Sequence, residues 1–286
     1  MMDRLADVSA QIQNVRQLES VVTALRGIAA SRAQQARSLL AGIDAYSTVV
    51  SRAIGEALAL LPAGSQRSPD TRRDQSGLIL FCAEQGFAGA FSERVLNAAG
   101  PDLATAMTFV IGTRGLIIAR ERGLSPAWSA AMASHVQAVP SLANDIADAL
   151  YAQIATGKPP IIEMVVPRST SGGGILIERQ SLLPLDLAQF SAASKAVPPL
   201  TTLKPQELLE RLTAEYVYAR LCAAAMHAYE AENQARLMTM TAARHNIGGR
   251  LTALTQHERQ IRQDDITNEI VELATGAEAL GDGLRN

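Results

Sequence analysis

The sequence predicts an α/β protein in which N- and C-terminal helices form a long antiparallel coiled coil beside a small Rossmann-like α/β domain. Three observations predict it. Residues 1–61 contain no proline and hold one 3,4-spaced apolar seam. The residues after Pro205 contain no proline and carry a second seam. Between the two, the helical period gives way to short apolar runs bounded by turn residues.

Composition supports a helical protein with a real core. Hydrophobic residues make up 48% of the 286 and aromatics only 4%, so alanine and leucine dominate the apolar content. Both lose little side-chain entropy in a helix. A formal net charge of −2 and a pI near 6.1 argue against a nucleic-acid partner, whose phosphates demand a basic surplus. Cys82 and Cys222 are too scattered for a disulfide framework or a zinc site and read as small core residues. No apolar run reaches the ~18 residues that a membrane span needs. The N-terminal "MMDRLADVSAQIQNV" lacks the apolar core of a signal peptide. The expectation is a soluble chain that does not itself span a membrane.

The elements follow in order. From Leu5 the seam runs Val8, Ile12, Val15, Glu19, Val22, Arg26, Ala29, Ala33, Ala36, Leu40, Ile43, Ser47, Val50, Ile54, Ala57 and Leu61, polar only at Glu19, Arg26 and Ser47. A repeat this long signals a coiled coil of roughly 85 Å. Its alanine centre (Ala29, Ala33, Ala36) admits close approach of a partner helix. Residues 62–76, "PAGSQRSPDTRRDQS", read as a linker. The α/β domain is expected over 77–200. "GLILFCA", "MTFVIG" and "IIEMVVP" are its buried strands, and "GGILIERQSLLPL" is an added strand after the tight turn "TSGGG". Helices are expected near 92–99, 113–122 and 141–156. The C-terminal helix occupies 201–286, with a seam of Leu209, Leu212, Tyr216, Ala219, Ala223, Met226, Leu237, Met240, Ile247, Leu251, Leu254 and Ile261. Unbroken, it would extend about 120 Å. Gly248 and Gly249, which together cost roughly 2 kcal/mol relative to alanine, mark a bend or a break. The second helix overhangs the first. Its end carries Ile266, Ile270, Leu273, Ala277 and Leu280 just beyond the polar block Arg262, Gln263, Asp264 and Asp265.

Catalytic motifs are missing. "AEQGFAGAFS" follows the first strand, where α/β sheets bind ligands, but Gly86 and Gly89 complete no GxGxxG, and no GxxxxGK[ST] or GxSxG occurs. It reads as a strand–helix turn. Arg114, Arg120 and Arg122 read as a solvated helix face. His135, His227, His245 and His257 have no metal-ligand spacing, with His245 and His257 expected to be exposed. Met226, Met238 and Met240 read as packing residues. No cofactor or metal is expected. The alternatives to a mechanical role are a nucleotide-using α/β enzyme with helical arms and a passive coiled-coil scaffold.

Five stretches resemble the gamma subunit of F-type ATP synthases, the central rotor shaft. "TALRGIAASR" is similar to the family's T-x-A-M-x-x-V-A-A-x-K. "AEQGFAGAFS" is a looser counterpart of S-D-R-G-L-C-G-G-F-N, keeping Gly86, Gly89 and Phe91. "IGTRGLIIARERG" resembles I-G-x-K-G-x-x-F-F-x-x-x-G. The strongest likeness is C-terminal, in "ENQARLMTMTAARHNI" and "RQDDITNEIVELATGAEAL". The chain departs from the pattern in "QQAR", which dilutes a basic cluster, and at Ala88 and Ala90. The resemblance implies a non-catalytic rotor subunit of a rotary ATPase. The partners it implies are the alpha and beta subunits of the head, the epsilon subunit and the membrane ring of c subunits. It also implies a peripheral location on the cytoplasmic face of the plasma membrane, and contact with a beta subunit through Arg262, Gln263, Thr267 and Glu269.

Overall fold

The computed structural model describes residues 2–61, 76–155, 157, 161–190 and 200–283, with side chains of the last helix described as far as residue 274. The chain divides by contact into two compact units, one of residues 1–27 with 238–286 and the other of residues 28–237. The element order is α1 (Met2–Leu58), β1 (Ser76–Phe81), α2 (Phe91–Ala98), β2 (Met107–Ile111), α3 (Thr113–Glu121), β3 (Trp128–Ala130), α4 (Val139–Ala155), β4 (Ile161–Ser169), β5 (Ile175–Leu183) and α5 (Pro205–Gly283).

In the unit of residues 28–237 a five-stranded sheet has the order β3-β2-β1-β4-β5. The first four strands are parallel, and β5, the strand expected after the "TSGGG" turn, returns antiparallel beside β4. Two faces explain the unbroken apolar runs. Ile79, Phe81, Phe109, Ile111, Ile162, Met164 and Val166 point to one core, shared with α4, α5 and Ala36 of α1. Leu78, Leu80, Cys82, Val110 and Val165 point to the other, shared with α2 and α3. Because side chains alternate along a strand, a strand covered on both faces has no polar position to spare. α4 shows the helical counterpart: Val139, Leu142, Ala143, Ile146, Ala147 and Leu150 are buried at 3,4 spacing. The three-residue β3 is absent from the sequence-based reading, since "WSA" is too short for a periodic signal.

In this unit α1 and α5 run antiparallel. Arg37 bonds Glu230 at 2.7 Å and Gln234 at 2.9 Å, and the Tyr46 hydroxyl bonds Glu215. Further along, Val50, Ile54 and Leu58 pack with Phe190 and Tyr216, whose rings meet edge to face at 5.2 Å. The seam on α1 is confirmed in its phase, for every described residue of it is buried or half-buried.

One expectation is corrected here. Over 216–236, α5 is not a helix with a single seam. Val217, Leu221, Ala224, Ala225, Ala228 and Ala231 are buried beside the seam residues Tyr216, Ala219 and Met226. The helix is covered by α1 on one side and by the sheet on others, so a two-position seam cannot describe it. In the unit of residues 1–27 and 238–286 the seam description holds. Val8 and Ile12 pack with Leu254, and Val22 packs with Met240 and Ile247. Gly248 and Gly249 neither stop nor interrupt α5, which is one helix of 79 residues. Met238 is exposed, not a packing residue.

The expected linker lies outside the described residues at 62–75, while Ser76 opens β1. No helix among the described residues is long and apolar enough to cross a membrane.

Candidate functional site

The polar collar lies well inside α5. Positions 262 and 269 share one helix face, as do 263 and 267, because seven and four residues each return close to whole turns. The Arg262 guanidinium reaches Glu258 at 3.4 Å with its side chain 62% exposed. A long, solvated i,i+4 pair of this kind contributes little to stability and leaves the fork open to a stronger acceptor. Gln263 and Glu269 are exposed, and the Thr267 hydroxyl donates back to the Gln263 carbonyl at 2.8 Å. Immediately beyond, Ile266, Ile270 and Leu273 are exposed, Leu273 at 75%. Arg262, Ile266, Glu269 and Leu273 fall on one face, so the cation and the apolar stripe are presented together. Ala277 and Leu280 lie outside the described side chains.

Ala29, Ala33 and Ala36 are all buried, at no more than 2% exposure. Ala36 belongs to the same core cluster as Val217, Leu221, Ala225 and Ala228 of α5.

The strand–helix turn after β1 lines a cavity of about 330 Å³ through Gly86, Ala88 and Gly89, while Glu84 at its start turns to α3. One Glu84 carboxylate oxygen accepts from the Thr113 N–H at 2.9 Å and the Met132 N–H at 2.8 Å, and the other from the Thr113 hydroxyl at 2.7 Å. A carboxylate therefore caps the N-terminus of α3, the helix that follows β2. Gly89 and Phe87 both take positive φ, near 63°. The expected arginine face is exposed at Arg114, Arg120 and Arg122, and Arg122 also donates to Asn97 at 2.7 Å.

Reasoning from sequence missed a buried polar cluster on α5. Glu232 pairs with Arg236 at 2.5 Å and accepts the Gln85 N–H at 3.1 Å. Arg236 donates to the Gly86 carbonyl at 3.2 Å and to Asn233 at 3.2 Å. Two residues earlier, Glu230 accepts from Arg37 and from the Ser169 hydroxyl. One signal was available: "YEAENQAR" inserts five charged or amide groups into an otherwise small, apolar helix. His227 belongs to the same side. Arg168 approaches its Nε2 at 2.8 Å, and since arginine only donates, Nε2 accepts and the ring is neutral. Burial first, and then the Arg168 charge, hold its pKa below the usual histidine value. Both cysteines are buried, and His245 and His257 are exposed. Among the described residues no cluster of metal-ligating side chains occurs.

The family model described as ATP synthase matches residues 4–280. An ATP synthase gamma chain from Streptomyces avermitilis is 26% identical over 291 residues, spanning 95% of this chain and 94% of its own. Two solved structures of the Euglena gracilis mitochondrial ATP synthase share the fold at 12% identity. One, of the rotor in rotational state 1, has a TM-score of 0.60 and covers 93% of this chain and all of that one. The other, of the OSCP/F1/c-ring assembly in rotational state 3, has a TM-score of 0.65 and covers 100% of this chain and 97% of that one.

Proposed function

The chain belongs to the ATP synthase family, and from that premise we propose that it is the central-stalk gamma subunit, a rotor that couples ion flow through a membrane ring to conformational cycling of catalytic beta subunits. The observation that carries the reading is the gamma-chain match over nearly the whole length of both chains. The exposed stripe at Ile266, Ile270 and Leu273 supports it, since a row of large apolar side chains is a surface that a partner covers. The chain is not the enzyme. Nucleotide chemistry belongs to beta, and this subunit contributes differential contact, binding each beta conformation differently at each angle.

The finer assignments belong to the same proposal. Residues 1–61 and 201–286 form the shaft and 76–200 the domain that meets epsilon and the c ring. The alpha and beta subunits surround the shaft, and the assembly sits on the cytoplasmic face of the plasma membrane. Arg262, Gln263, Thr267 and Glu269 engage a beta subunit, and Ala29, Ala33 and Ala36 are the close-approach positions of the coil. The test is co-expression with alpha- and beta-type ATPase subunits and purification through a tag on beta. Stoichiometric recovery of this chain, with ATP hydrolysis that depends on it, is expected. Recovery of an active head without it overturns the reading.

A further inference from the structure

Six polar or charged residues are buried among the described residues, and four of them (Glu230, Glu232, Asn233 and Arg236) fall within seven positions of α5. Glu230 is 1% exposed, Glu232 3% and Arg236 6%. Such groups are an anomaly for stability alone. Removing charges from water costs several kcal/mol each, and well-packed apolar residues in their place are often neutral or stabilising. What they add that an apolar core does not is direction, because hydrogen bonds have preferred angles and apolar contact has none.

Their arrangement gives that direction a use. Positions 230 and 232 leave a helix about 200° apart. Glu230 reaches Arg37 of α1 and Ser169 at the end of β4. Glu232 and Arg236 reach the backbone of Gln85 and Gly86, in the turn after β1. Two further bonds tie α5 to the β4–β5 hairpin, His227 with Arg168 at 2.8 Å and Arg220 with Gln180 at 2.8 Å. Turning α5 about its own axis in either direction breaks bonds on opposite sides at once.

We propose that Glu230, Glu232 and Arg236 form a torsional key that fixes the azimuth of α5 within the α/β domain and carries torque between domain and shaft. These are positioning residues: they touch no nucleotide and act through the helix they hold. The inference rests on the rotor reading above and adds where the load crosses from sheet to helix.

The test replaces the buried pair with apolar residues of similar volume, Glu232→Leu with Arg236→Met, in a complex reconstituted into vesicles with its partner subunits. ATP hydrolysis and ATP-driven ion pumping are measured on the assembled population, together with stall torque in single-molecule rotation. Thermal unfolding of the variant is expected to match or exceed that of the natural chain, with hydrolysis within about twofold. Ions pumped per ATP are expected to fall at least threefold and stall torque to fall with them. A purely structural role would lower stability and assembly and leave the pumping ratio of assembled complexes alone. If the double variant does not assemble, Arg37→Gln, on the exposed side of Glu230, is expected to lower the same ratio by a smaller factor. An unchanged ratio in whichever variant assembles overturns the key. If the natural chain itself neither assembles nor pumps, it is the rotor reading that fails.

Discussion

At Cys82 the fit between strand and helix is decided by single atoms. A Cβ built on Gly115 would lie 2.0 Å from the Cys82 Cβ and 2.8 Å from its Sγ, so either α3 or the chain at Cys82 must shift. Gly115→Ala is therefore expected to lose roughly 1–3 kcal/mol by overpacking. Gly42→Ala, in α1 with open space around it, should be neutral or slightly stabilising. Parallel thermal unfolding of the two variants checks the contrast. Burial, reinforced by the charges of Glu232 and Glu93, pushes the Cys82 thiol up from 9.0 to about 12. A raised folded pKa means that its contribution is whole below pH 9, where both states keep the proton. Between pH 9 and about 12 the unfolded chain ionises first, and stability falls by up to roughly 1.4 kcal/mol per pH unit. At pH 8 the folded protein should leave Cys82 unlabelled by iodoacetamide, and denaturant should expose it. Rapid labelling of the native protein, read by peptide mass spectrometry, contradicts the buried thiol.

At the scale of elements, α1 shows what a seam is. Its alanines at 29, 33 and 36 are all buried, and Ala36 lies in one core with Val217, Leu221, Ala225 and Ala228 of α5. Ala33→Phe is expected to destabilise by roughly 1–3 kcal/mol, because the ring has no cavity to enter and must part the helices. A melting temperature equal to that of the unmodified chain would show the interface to be looser than the burial of Ala33 indicates. α5 carries the opposite lesson. The same helix is covered nearly all round at 216–236 and exposed on most positions beyond 262. Gly248 and Gly249 sit inside it without ending it, which the hydrogen-bonded ladder on both sides makes affordable for two residues of low propensity.

At the scale of the molecule, the collar and the exposed stripe beyond it are where the proposed contact with a beta subunit is tested. Arg262→Ala with Gln263→Ala should leave the chain's own unfolding transition unchanged, since Arg262 holds only a 3.4 Å surface pair and Gln263 is exposed. In the assembled complex the double variant is expected to lower ATP turnover or yield about tenfold, the effect of losing a charge-assisted contact worth roughly 1.5–3 kcal/mol. Unaltered turnover and yield would mean that the collar is solvated in the complex too.

The sequence by itself determined the helix–domain–helix order, the phase of the α1 seam, the three long buried strands, the antiparallel return at β5 and the exposed stripe at Ile266, Ile270 and Leu273. Each of these is written in local periodicity, because an element covered on one face, or on both, repeats its apolar residues at the spacing of its own backbone. The motif likenesses at "ENQAR" and "RQDDIT" also lay in the open. Only the tertiary structure decided why "ENQAR" is there. Glu232 and Arg236 are 145 or more positions from the turn they hold, and Glu230 is 193 from Arg37. It decided likewise that Glu84 caps α3, and that "WSA" adds a parallel edge strand through Phe109 and Ile111. Such pairings depend on which segments the sheet order brings together, and no local pattern records a partner so distant in the chain.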